Sequence, residues 1–99
     1  MNYNFEWDPD KARKNEDKHG VSFENATTAF RDPRALSVYD DEHSATEDRW
    51  ITLGLSETGA VVVVHHTFDD IDETTIRIRI FSSRKATKSE VEQYSEQNL

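Results

Sequence analysis

The run AVVVVHHTF, residues 60 to 68, most constrains the fold. Four consecutive valines leave no polar side chain for either face of a strand. A run of this kind suits a central strand covered on both sides. Its neighbours are also strands. RWITLGL, residues 49 to 55, precedes it across SETG, where Gly59 gives the backbone freedom a hairpin turn needs. TIRIRIF, residues 75 to 81, follows it across the acidic turn DDIDE, residues 69 to 73. TIRIRIF alternates strictly, with Ile76, Ile78 and Ile80 on one face and Arg77, Arg79 and Phe81 on the other. ALSVYD, residues 35 to 40, adds a strand before them, and YNFEW, residues 3 to 7, adds an aromatic one at the start.

Helices fill the remainder. Asp8-Pro9 reads as an N-cap followed by proline at the first helical position, and His19-Gly20 closes that polar helix. Ser22 caps a second helix whose Phe23, Ala26, Thr27 and Phe30 share one face, and Asp32-Pro33 stops it. Thr87 and Glu90 form a capping box for a third. The predicted order is β-α-α-β-β-β-β-α. That is an α+β fold: a small antiparallel sheet, with the first strand at an edge and the two N-terminal helices and one C-terminal helix packed on one face.

Ninety-nine residues make one domain, residues 1 to 99. With no cysteine, disulfides and thiolate metal sites are excluded. The N-terminus carries no apolar run behind basic residues, and the longest apolar run is far too short to span a bilayer. A cytoplasmic protein with no membrane association is the expectation.

Net charge is -8, which argues against a general nucleic-acid binder. The distribution is more informative. Residues 40 to 48 and 69 to 73 hold nine of the twenty acids. Residues 74 to 90 carry Arg77, Arg79, Arg84, Lys85 and Lys88 with no acid before Glu90. Arg77 and Arg79 stand about 6.6 to 7 Å apart along one strand face, a spacing that suits successive phosphates. Arg84 and Lys85 precede a helix start, where free backbone N–H groups favour anions. The same arginines equally suit cross-strand pairing with the many carboxylates.

His65 and His66 point to opposite faces, so one of them shares the arginine face. A histidine beside arginines can take a 2'-hydroxyl proton while the arginines stabilise the phosphate. A histidine half-buried at a strand end and bonded to backbone is the commoner arrangement for either residue. No HxH or HxxxH spacing and no glycine-bearing calcium loop occur, so neither metal nor cofactor is expected. Tyr3, Phe5 and Trp7 read as core residues, and Ser82-Ser83 as a strand-end turn.

The pieces together resemble the BrnT family. They are FEWD-P-x-K at Phe5 to Lys11, then Asn15 and Lys18-His19-Gly20-Val21-Ser22-Phe23. Next come Glu42-His43, E-x-R-W at Glu47 to Trp50, Gly54, and V-V-V-H-T around Val62 to Thr67. R-I-F-S-S-R-K-A-T at Arg79 to Thr87 and Glu90 with Tyr94 complete the series. The resemblance implies a RelE-like fold and a ribonuclease toxin that inhibits translation without a metal. It also implies neutralisation by a cognate BrnA-like, DNA-binding antitoxin, through which alone DNA is met. On the matched positions, His66, Arg79 and Arg84 become the candidate catalytic residues. Lys85 joins them on the RNA phosphates, with Arg77 and Lys88 as local additions. The acidic loops suit a basic antitoxin surface or restriction of RNA to one face. An alternative is a non-catalytic module with the same fold and an antitoxin-like partner. The two readings differ at Arg79 and Arg84, which a nuclease leaves free of carboxylates and a module ties into salt bridges.

Overall fold

A computed structural model describes residues 1–97. The strict alternation of TIRIRIF produces the longest strand, which becomes the spine. In chain order the elements are β1 (Asn2–Glu6), α1 (Pro9–His19), α2 (Phe23–Thr28), β2 (Leu36–Tyr39), β3 (Trp50–Leu55), β4 (Val61–His66), β5 (Asp69–Asp72), β6 (Thr75–Lys85) and α3 (Lys88–Gln97). Short 3-10 turns cover Ala29–Arg31 and Asp41–His43. The sheet order is β1-β6-β4-β3-β2, with β5 also paired to β6.

The expected meander from β2 through β3 and β4 to β6 is antiparallel. The expectation of an antiparallel sheet throughout is corrected at its edge. β1 runs parallel to β6, with Asn2 opposite Thr75 and Glu6 opposite Arg79. The long excursion through the helices lets the chain return in either direction, so no hairpin fixes the sense. A second correction concerns DDIDE, which is not only a turn. Asp69 pairs with Arg77 and Asp70 with Ile76, so opposite charge across the ladder makes a strand of an acidic segment. A third is the length of β6, which continues through Ser82-Ser83 to Lys85.

The caps form as the sequence dictates. Asp8 accepts from Asp10 N at 2.8 Å, and Gly20 closes α1 with φ 71°. Ser22 Oγ accepts from Asn25 N at 3.0 Å. Thr87 N donates to Glu90 Oε1 at 2.8 Å, and Glu90 N returns to Thr87 Oγ1 at 3.2 Å.

Ile78, Ile80, Val62 and Val64 are buried with Phe23, Ala26 and Ala29, which places α2 over that face. α1 is pinned to β6 by buried Asn15. Its Nδ2 donates to Ser83 O at 2.8 Å and its Oδ1 accepts from Ser83 N at 3.1 Å. This side-chain amide continues the pairing of β6 where β1 has ended. Gly54 on β3 lies so close to Ala29 that a Cβ would come within 2.7 Å of the Ala29 carbonyl oxygen. The helices do not all share one face. Val63 and Leu53 alternate onto the opposite side and are buried too, and α3 packs against β3. A sheet apolar on both faces needs cover on both, which the valine run anticipates.

Candidate active site

The second sheet face carries the cations. Register puts Arg84 beside Val63, Ser82 beside His65 and Asp69 beside Arg77. Between Ser82 and Ile80 the ladder slips by one residue, leaving Phe81 as a bulge with no partner on β4. The Phe81 ring receives Arg49 at 4.1 Å and Arg79 at 5.1 Å from its centroid.

Each arginine of β6 has a carboxylate. Arg84 grips Glu90 through two bonds, Nη1 to Oε1 at 2.7 Å and Nη2 to Oε2 at 3.0 Å. Arg79 Nη2 donates to Glu47 Oε2 at 2.5 Å, and Arg77 Nε lies 3.8 Å from Asp69 Oδ2. The Arg84 hydrogen bonds hold the Glu90 carboxyl down to about 2, and the Arg79 bond lowers that of Glu47. Acids that looked like solvated loop charge are therefore partners for the basic strand. Lys85 pairs with Val62 and turns to the helix side, beside Glu16 and Ser22. Lys88 is exposed at the start of α3.

The structure brings His65, not His66, to the arginine face. His66 is fully buried between the edges of Phe30 and Phe68, with ring centroids 4.8 and 4.6 Å away. Its Nδ1 donates to Thr67 O at 3.1 Å, so Nε2 accepts from the Thr52 hydroxyl at 2.6 Å. The Thr52 hydroxyl in turn meets Ser37 at 2.7 Å. Burial pushes the His66 imidazole down to about 4. It is a neutral ring in a satisfied core network, with no solvent side from which to handle a proton.

His65 is half-buried, and burial lowers its pKa as well. Asp40, Arg84, His43 and Glu90 all act on it electrostatically, and register sets Arg84 opposite Val63, the next residue along the same face. Asp40 is itself buried, and its Oδ2 takes the His43 Nδ1 hydrogen at 2.9 Å. The 3-10 turn creates that contact, and Ser44 Oγ fastens the turn by donating to Asp40 O at 2.6 Å. His43 is thus oriented by a carboxylate, with Nε2 as its remaining nitrogen. Sequence reasoning weighed His65 beside His66 but assigned the role to His66, and it gave Asp40 and His43 no part in the site. The Asp-x-x-His spacing and the odd strand parity shared by His65 and Val63 were the available signals. A half-buried imidazole, a carboxylate-oriented imidazole and guanidinium forks can together move protons around a phosphodiester.

Among the described residues, no three His, Asp or Glu side chains converge as a metal-binding group, and no helix is long and apolar enough to cross a membrane. Residues 7–90 match the family described as ribonuclease toxin, BrnT, of type II toxin-antitoxin system. The fold is similar to the 1.1 Å crystal structure of the Brucella abortus ribonuclease toxin, BrnT. That similarity has a TM-score of 0.57 and 19% identity over 89% of this chain and 100% of that one. No curated protein matches the chain in sequence. The family match spans most of the chain, and the chain belongs to the BrnT family of ribonuclease toxins of type II toxin–antitoxin systems.

Proposed function

We propose that this toxin cleaves RNA without a metal on the second sheet face. The observation that carries the reading is that β6 sets Arg84 opposite Val63 and Ser82 opposite His65 on that face, while Asp40 holds His43 at 2.9 Å. His65 takes the proton of a 2'-hydroxyl. The freed oxygen attacks the adjacent phosphorus, the bond to the 5'-oxygen breaks, and His43 returns a proton to that oxygen. Arg79 and Arg84 bind the phosphate and stabilise its added charge. Arg77 and Lys88 extend the phosphate track. Lys85 lies on the helix side and contributes to the field rather than to contact. Membership of a type II toxin family implies an antitoxin partner. We take that antitoxin to be BrnA-like and DNA-binding, and the fold to be of the RelE-like kind acting in the cytoplasm.

The test is cleavage of cellular RNA by the purified chain in EDTA, beside Arg79→Ala, Arg84→Ala, His65→Ala and His43→Ala, with folding checked by circular dichroism. Cleavage by the wild type and loss of at least 100-fold in the folded variants is expected on the usual scale of general acid–base groups, about 10²- to 10⁴-fold. Cleavage abolished by EDTA would remove the metal-free route.

The carboxylates on Arg79 and Arg84 favour a second reading, a module that binds an antitoxin without cutting RNA. On that reading the wild type leaves RNA intact and still forms a stable complex with its antitoxin.

A further inference from the structure

α1 carries Lys11, Lys14 and Lys18 at helical spacing, all to one side of Asn15. Since Asn15 is bonded to Ser83, these lysines are held at a fixed place beside β6. They line a groove of about 250 Å³ whose far wall is Phe81 and Ser82, with His19 at one end. The groove exists because β1 stops pairing at Arg79 and the next residues of β6 bulge. The sheet edge is left open there, and α1 closes only one side of it.

The charge state of this groove is unlike that of the arginine face. Ion pairs of the described cations include those of Arg13, His43, Arg49, Arg77, Arg79 and Arg84. Among the described residues, none of these pairs involves Lys11, Lys14 or Lys18, and none of the three has a side-chain partner. In a chain with twenty acids and twelve Lys and Arg, three clustered lysines without a carboxylate are a local excess of positive charge. The groove also joins the candidate active site. Phe81 forms its wall and at the same time holds Arg49 and Arg79 against its ring.

We propose that the α1–Phe81 groove is a second RNA-binding site, which takes the single-stranded backbone flanking the scissile phosphate. The inference rests on the ribonuclease reading above. From Lys11 to Lys18 the helix rises about 10 Å, enough to follow two or three phosphates of an extended strand. Lysine suits this task because an ammonium contacts a phosphate as a point charge and imposes no base sequence. The groove therefore contributes affinity and direction of entry, while the arginine face does the chemistry. An acidic segment of a protein partner is the competing occupant. Continuity with Arg79 through one aromatic ring favours RNA.

The experiment measures binding of a fluorescent single-stranded RNA oligonucleotide, 2'-O-methylated to block cleavage, across a salt series. The wild type is compared with the triple variant Lys11→Ala/Lys14→Ala/Lys18→Ala and with Arg31→Ala, which removes an exposed charge elsewhere. Cleavage of an unmodified oligonucleotide and antitoxin binding are measured on the same proteins. The triple variant should bind RNA about tenfold or more weakly, with the slope of log K against log salt reduced by about 2. Its KM should rise while kcat holds. A triple variant with wild-type affinity and slope overturns the groove, even though wild-type cleavage would leave the ribonuclease reading intact. Loss of antitoxin binding with RNA binding unchanged also overturns it, and makes the groove a protein surface. A wild type that neither binds nor cuts RNA removes the ribonuclease reading and this site together.

Discussion

Replacing Glu90 should move stability and RNA binding in opposite directions. Glu90 does two jobs in the folded chain: its Oε1 caps Thr87 N, and both its oxygens hold the Arg84 fork. Its carboxyl is lowered from 4.5 to about 2, chiefly by the Arg84 hydrogen bonds. Taken at face value, that shift is worth about 3 kcal/mol. The two side chains are 24% and 36% exposed, for Glu90 and Arg84 respectively, and solvent screening brings the pair to about 1 kcal/mol. The lost cap adds about 0.5–1 kcal/mol. Glu90→Ala should therefore cost about 1.5–2 kcal/mol, a fall in Tm of about 6–15 °C for a chain of this size.

The pH dependence fixes the sign. A depressed carboxyl contributes its full stability above the unfolded pKa and loses it as pH falls through the folded one. The Tm gap between wild type and variant should close between about pH 5 and 2. Meanwhile Arg84, released from its carboxylate, becomes available to a phosphate. The variant should bind a 2'-O-methylated RNA oligonucleotide about fivefold more tightly, the equivalent of about 1 kcal/mol. Thermal melting by circular dichroism and fluorescence anisotropy read the two effects on one sample. A Tm gap that persists unchanged at pH 3 would refute the ion-pair account. RNA affinity that falls along with stability would refute the idea that Glu90 competes for the phosphate position.

His66→Gln should flatten the pH dependence of stability. The wild-type ring folds neutral, so it contributes fully above 6.5 and loses up to about 3 kcal/mol as pH falls to about 4, which acid melts of both proteins would show. Asn15→Leu strands the Ser83 N–H and carbonyl, and should cost about 2–3 kcal/mol in urea unfolding. Gly54→Ala forces a methyl against the Ala29 carbonyl and should cost about 1–3 kcal/mol by the same measurement.

The strand–helix order and the caps were legible because local chemistry determines them. Asp8-Pro9, Ser22 and the Thr87–Glu90 box need no distant partner to act. What was not legible depended on partners far along the chain. Asp69–Asp72 is a strand because Arg77 and Ile76 stand opposite, and no window of the acidic segment contains them. Alternation showed that His65 and His66 diverge. Which one meets the arginines depended on the slip at Phe81, since one extra residue reverses every face beyond it. The V-V-V-H-T motif drew the proton-transfer role to His66, whose buried network serves the core. The Asp40–His43 contact required a 3-10 turn in a segment rich only in acids and small polar residues.

The parallel pairing of β1 with β6 has a consequence for biosynthesis. Asn2–Glu6 is made some seventy residues ahead of its partner Thr75–Arg79. β6 is also the strand that β4 and β5 require. No stable intermediate sheet can therefore include the spine until Thr75–Arg79 has been made, an arrangement of long sequence separation that folds slowly. The cationic face is built on that last strand. The nascent chain therefore cannot carry the cationic face before β6 has been made.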